Sequence, residues 1–223
     1  MGASALANID KGLHHLFLSQ IETLGMEPVA RRSGIVSQLA PERGRGSAWM
    51  AGIGPDCLMT VLDLEVEGAV DLTSCGPGYF CLGIMSPSCL ETMPRPVSAP
   101  GPAGLVMYCQ DAGSYAYRLK PRTPYVSRSL CFTPRFWEQL AFDRRSDGDA
   151  LLERFATAPQ VLNAPHVGAM LQRLDARTAD AAATELHLTA LAAEAVACLM
   201  DTAEAEGQAE AARGSSEARS EER

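Results

Sequence analysis

Apolar residues near the start of the chain recur at helical intervals, at Leu13, Phe17, Ile21 and Leu24. This spacing predicts a short amphipathic helix, with Gly25 placed to end it. Arg31 to Ser47 is polar and glycine-rich, contains Pro41, and reads as a loop or irregular strand. From Trp49 the period drops to two. Leu62, Leu64 and Val66 alternate with Asp63, Glu65 and Glu67, which predicts a strand with the apolar set inward. Tyr79 to Met85 is short, apolar and bounded by Gly76-Pro77-Gly78 and Ser86-Pro87-Ser88, as a buried strand would be. Leu105 to Cys109 is another. Tyr115, Tyr117 and Leu119 share one face of the next strand. Val126, Leu130 and Phe132 are the apolar positions of the last. Short strands punctuated by glycine and proline point to an antiparallel barrel or sandwich, not to βαβ units.

After Phe132 the period turns helical. Thr133 and Pro134 suit the N-cap and first position of a helix carrying Phe136, Trp137 and Leu140. Asp147 or Asp149 can cap a second, carrying Leu151, Leu152 and Phe155. Pro165 opens a third, with Val167, Met170, Leu171 and Leu174. Leu188, Leu191, Ala192, Ala195, Val196 and Leu199 form one stripe of a long amphipathic helix from about Ala179 to Glu206. Gly207 to Arg223 has no large apolar side chain and reads as a disordered linker or tail. The fold class expected is therefore α+β: an antiparallel barrel or sandwich, then short helices and one long amphipathic helix.

Net charge narrows the partners. The chain of 223 residues carries −8, which gives no nonspecific attraction to nucleic acid. Seven acids against three arginines lie between Asp201 and Arg223, so the preceding body is only mildly acidic. No apolar run approaches the roughly 18 residues of a membrane span, and no charged region followed by an apolar core marks a signal peptide. A cytoplasmic protein with reduced thiols is expected, and the odd count of seven cysteines agrees with it.

Candidate chemistry is sparse. Cys75, Cys81 and Cys89 are too widely spaced for a Cys-x-x-Cys pair, and no His-x-His exists, so no metal and no cofactor is expected. No Gly-x-Ser-x-Gly elbow is present, and the glycine-rich stretches match no phosphate-binding pattern. The histidines, His14, His15, His166 and His187, all fall in predicted helices, so no catalytic residue is assigned. A cysteine–histidine pair formed in space stays open. The tyrosines are more informative. Tyr79, Tyr108, Tyr115 and Tyr117, with Cys81 beside them, could wall a pocket for a small organic ligand, or simply pack a core.

The runs Gly76 to Met85 and Tyr125 to Leu140, with Phe132-Thr133-Pro134 leading from strand into an apolar helix, resemble the effector-sensing half of AraC-type transcription regulators. The resemblance covers roughly Trp49 to Glu206. It implies a cupin-like β-barrel that senses a small-molecule effector, helices that pair two chains, and no enzymatic activity. The implied division is 1–30 N-terminal helix and lead-in, 31–142 β-barrel sensing domain, 143–206 helical dimerisation segment and 207–223 linker. The family shares no ligand pattern, so Tyr79, Cys81, Tyr115 and Tyr117 stand as the ligand site on the tyrosine reading alone; Leu188, Leu191, Ala195 and Leu199 would form the homodimer contact, or else pack on the chain's own barrel. DNA would be touched only through a helix-turn-helix region that this chain does not contain. Enzymatic cupins hold metal through barrel histidines, and Trp49 to Phe132 has none. Two other classes remain: a stand-alone small-molecule-binding or catalytic barrel, and a ligand-free interaction module.

Overall fold

The computed structural model describes residues 13–92, 104–140, 153 and 160–221. Helix α1 (Leu13–Thr23) leads into β1 (Glu27–Ala30), β2 (Ile35–Gln38), β3 (Gly44–Gly52), β4 (Cys57–Val66), β5 (Val70–Gly76) and β6 (Tyr79–Met85). Then come α2 (Pro87–Glu91), β7 (Gly104–Gln110), β8 (Gly113–Leu119), β9 (Pro124–Phe132) and α3 (Pro134–Leu140). The chain closes with β10 (Gln160–Asn163), α4 (Pro165–Gln172), a 3-10 turn (Ala176–Asp180) and α5 (Thr184–Glu221).

Eight strands form one antiparallel sheet in the order β1-β2-β3-β4-β9-β6-β7-β10, and β5 pairs with β8 in a separate two-stranded sheet. Neither sheet closes on itself. The protein is thus α+β with a large open antiparallel sheet, where the sequence pointed to a barrel or sandwich.

Both faces of the large sheet are buried, because successive side chains of a strand point to opposite sides. On one side Trp49, Met59, Leu82, Met107, Leu130 and Phe132 meet the C-terminal helices through Trp137, Val167, Leu171 and Leu191. On the other, Met50, Leu58, Leu64, Tyr79, Cys81 and Cys131 meet Leu72 of β5, Leu119 of β8, and Leu13, Leu16 and Ile21 of α1. The N-terminal helix is therefore part of the same body, not a lead-in to it. Gly25, at φ +67°, ends α1 in the left-handed conformation that glycine adopts without a steric cost.

Several expectations are corrected here. The segment from Arg31 to Ser47, read as a loop or irregular strand, contains β2 and the first half of β3, and pairing begins before residue 31, in β1. β5 and β10 have no counterpart in the sequence reading. The helix expected to carry Leu151, Leu152 and Phe155 lies outside the described residues. Helix α5 does not stop near Glu206. It runs 38 residues to Glu221, about 57 Å at 1.5 Å per residue. Alanine, glutamate, glutamine and arginine, which make up most of its second half, are among the strongest helix formers.

The stripe Leu188, Leu191, Ala195 and Leu199 is 0–2% exposed, packed within the chain against the sheet and the helices α3 and α4. A contact with a second chain through these residues would require them to leave that core. No described helix is long and apolar enough to cross a membrane.

Candidate functional site

The second core is not filled. Between the two sheets, beside α1, lies a cavity of about 150 Å³. The strands set its chemistry row by row. Cys131 of β9 faces Leu58 of β4 and Cys81 of β6, and Cys81 in turn faces Tyr108 of β7. Two residues earlier on β9, Ser129 faces Thr60 and Gly83, and Ser127 faces Leu62 and Met85. Tyr79, Tyr117 and Tyr125, with Gln20, Thr92 and Gln110, add to the polar part of the wall, and Phe17, Ile21 and Leu24 of α1 supply an apolar side.

Most of these polar groups are held. Tyr117 Oη donates to Gln20 Oε1 at 2.9 Å, and Tyr125 Oη accepts from the Lys120 amide at 2.7 Å. The Tyr79 and Tyr108 rings meet edge to face at 6.4 Å between centroids. Tyr108 is also hydrogen-bonded to Cys81, and burial pushes its phenol well above the usual value. Cys81 Sγ and Cys131 Sγ lie 3.6 Å apart. Donation to Cys81, and then burial, raise the Cys131 thiol well above its ordinary pKa. Burial opposes ionisation of Cys81, yet the donors Cys131 and Tyr108 bring it below the ordinary thiol value. Ser129 Oγ is different. Beyond the Cys81 sulfur, whose pKa it helps to lower, it has no hydrogen-bond partner among the described residues.

Of the residues singled out from the sequence, Tyr79, Cys81 and Tyr117 line this one cavity. The backbone of Tyr115 is on β8, opposite Ser74, and its side chain lies outside the described residues. Tyr108, also noted among the aromatics, lines the cavity too, whereas sequence reasoning missed Cys131 and the serines of β9. A signal for them existed. The face of β9 opposite Leu130 and Phe132 reads Ser127, Ser129, Cys131, a run of small polar groups on what proves to be an inner strand.

The histidines all sit on helices, as expected: His14 and His15 on α1, His166 on α4 and His187 on α5. None lines the cavity. Burial lowers the pKa of His14, and His166 Nε2 lies 2.8 Å from Glu194 Oε1 at the surface. Among the described residues no three of His, Cys, Asp and Glu come together as a metal site would need.

Burial also ranks the thiols. Alkylation with iodoacetamide in the native state, followed by mass spectrometry, is expected to label exposed Cys75 first, then the half-buried Cys89, Cys109 and Cys198, and Cys57, Cys81 and Cys131 last. Cys57 is doubly protected, since burial raises its pKa as well as blocking access. Labelling of Cys57 as fast as Cys75 would mean that the core between sheet and helices opens readily.

Comparison of the sequence with protein-family models and with curated proteins, and of the fold with solved structures, finds no match.

Proposed function

We propose that this chain is a non-enzymatic small-molecule-binding domain, of the effector-sensing, cupin-like kind that AraC-type transcription regulators carry. The observation that carries the reading is the cavity between the two sheets, lined in its polar part by Tyr79, Cys81, Tyr108 and Tyr117. Small-molecule sites are mostly apolar hollows with a few placed polar groups, and this one has that composition. Binding is favoured over catalysis because, among the described residues, no histidine or carboxylate lines the cavity beside its thiols to act as a base.

The layering gives such a domain a way to report its ligand. β4, β6 and β9 present Thr60, Cys81 and Ser129 to the cavity. Their neighbours Met59, Leu82 and Leu130 join the cluster that holds Leu191 and Leu199 of α5. A ligand that shifts these strands therefore presses on the long helix from behind. The reading assigns no dimer contact to the buried stripe of α5.

The test is a thermal-shift screen of small organic compounds against the full chain and against Leu62→Trp, which fills the cavity from β4. A ligand present at 100 times its Kd adds about 2.7 kcal/mol, or a rise of roughly 5–10 °C in a domain of this size. Compounds that stabilise the unaltered protein and not a folded Leu62→Trp support the reading. Shifts of equal size in both proteins would sink it.

A further inference from the structure

We propose that the cavity selects an uncharged ligand: a largely apolar organic molecule with one neutral hydrogen-bonding group, seated on Ser129 and its neighbours on β9, and that it rejects carboxylates, phosphates and amines. The inference rests on the cavity being a binding site and names the class of molecule it takes.

Two independent observations carry it. The first is the charge inventory. Among the described residues that line the cavity, none is Asp, Glu, Lys, Arg or His. An ion entering such a space loses its water and gains no counter-charge, which costs several kcal/mol even after relaxation. A neutral amide, ketone, phenol or alcohol suffers no comparable loss, and its apolar body gains from contact with Phe17, Ile21, Leu24 and Leu64.

The second is an unanswered polar atom. Ser129 is 3% exposed, faces the cavity and, beyond the Cys81 sulfur, has no hydrogen-bond partner among the described residues. Buried hydroxyls are nearly always satisfied. Glycine at position 83, directly across from Ser129, leaves the space that the serine side chain occupies. Thr60, across from Ser129 on the other side, uses its hydroxyl on the Ser129 carbonyl at 3.4 Å and leaves the Ser129 hydroxyl untouched. A ligand oxygen or amide placed over this row would answer it.

Benzamide, benzoate and benzamidine test the charge claim directly, since the three share one shape and carry zero, negative and positive charge at neutral pH. Binding to the full chain is measured by calorimetry and by ligand-observed NMR, with Leu62→Trp as the blocked control. Benzamide is expected to bind at least about 100-fold more tightly than either ion, and Ser129→Ala to weaken it about 10-fold. Toluene, which has no polar group, should bind the Ser129→Ala protein as it binds the parent. Should Ser129→Ala fail to fold, Ser127→Ala on the same face takes its place with the same expectation. Benzoate or benzamidine binding as tightly as benzamide, in a manner blocked by Leu62→Trp, would overturn the assignment of ligand class and leave the binding site standing. Absence of binding by every probe, or binding that Leu62→Trp does not block, would overturn both.

Discussion

Replacing Leu191 and Leu199 together with glutamate is expected to leave the chain unfolded. The two leucines are 1% and 0% exposed and stand eight residues apart on the buried side of α5. Each change removes a leucine from a packed core, a loss of about 2–5 kcal/mol in comparable truncations. Each also drives a carboxylate into a cluster made only of hydrophobic side chains. Together they consume the whole of a typical domain stability of about 5–15 kcal/mol. Circular dichroism and urea titration of the double variant should show no cooperative transition. A folded, monomeric variant with an unchanged midpoint would show instead that the stripe belongs to a contact between chains, as the family resemblance implies.

That stripe marks where the sequence was readable and where it was not. The helical period of α5 was plain, because leucine and alanine recur on one side over several turns. What the period cannot say is which surface covers the stripe. A sheet of the same chain and a helix of another would both select those residues. The end of α5 was misread for a different reason. Apolar periodicity signals burial, and the segment beyond Glu206 has none, yet it is rich in alanine and glutamate, whose local propensity favours the helix seen there.

The strands divide in the same way. On β4 the alternation was read correctly, since Asp63 and Glu67 do face water while Leu64 and Val66 are buried. On β9 it told half. Leu130 and Phe132, read as the apolar positions, are buried against the helices, and the polar set Ser127, Ser129 and Cys131 faces the cavity. Alternation assumes one wet face, and β9 lies in the middle of a sheet buried on both. β10 was invisible, being four residues long, and so was the separation of the two sheets that makes the cavity. No local pattern encodes the distance between strands far apart in the chain.

Gly83→Ala is expected to destabilise the protein by about 3 kcal/mol or more and to lower its Tm by roughly 6–12 °C. Gly83 is buried in β6 and hydrogen-bonded into the ladder on both sides, opposite Ser129 of β9 and Val106 of β7. A Cβ at this position would stand 2.5 Å from Ser129 Oγ, 2.6 Å from the Arg128 carbonyl oxygen and 2.9 Å from Ser129 Cα. The first contact can be relieved by turning the serine. The other two are backbone, and they yield only if β6 and β9 part, which breaks the register that lines up Cys81 with Cys131. Combining Gly83→Ala with Ser129→Ala separates the contributions: the double variant should recover only part of the loss, because the carbonyl contact persists. Benzamide affinity should fall in Gly83→Ala even where the protein stays folded, since the displaced serine is the proposed anchor. A Gly83→Ala protein melting within a degree of the parent would show that the strands close over an added methyl without strain, and that position 83 does not shape the cavity floor.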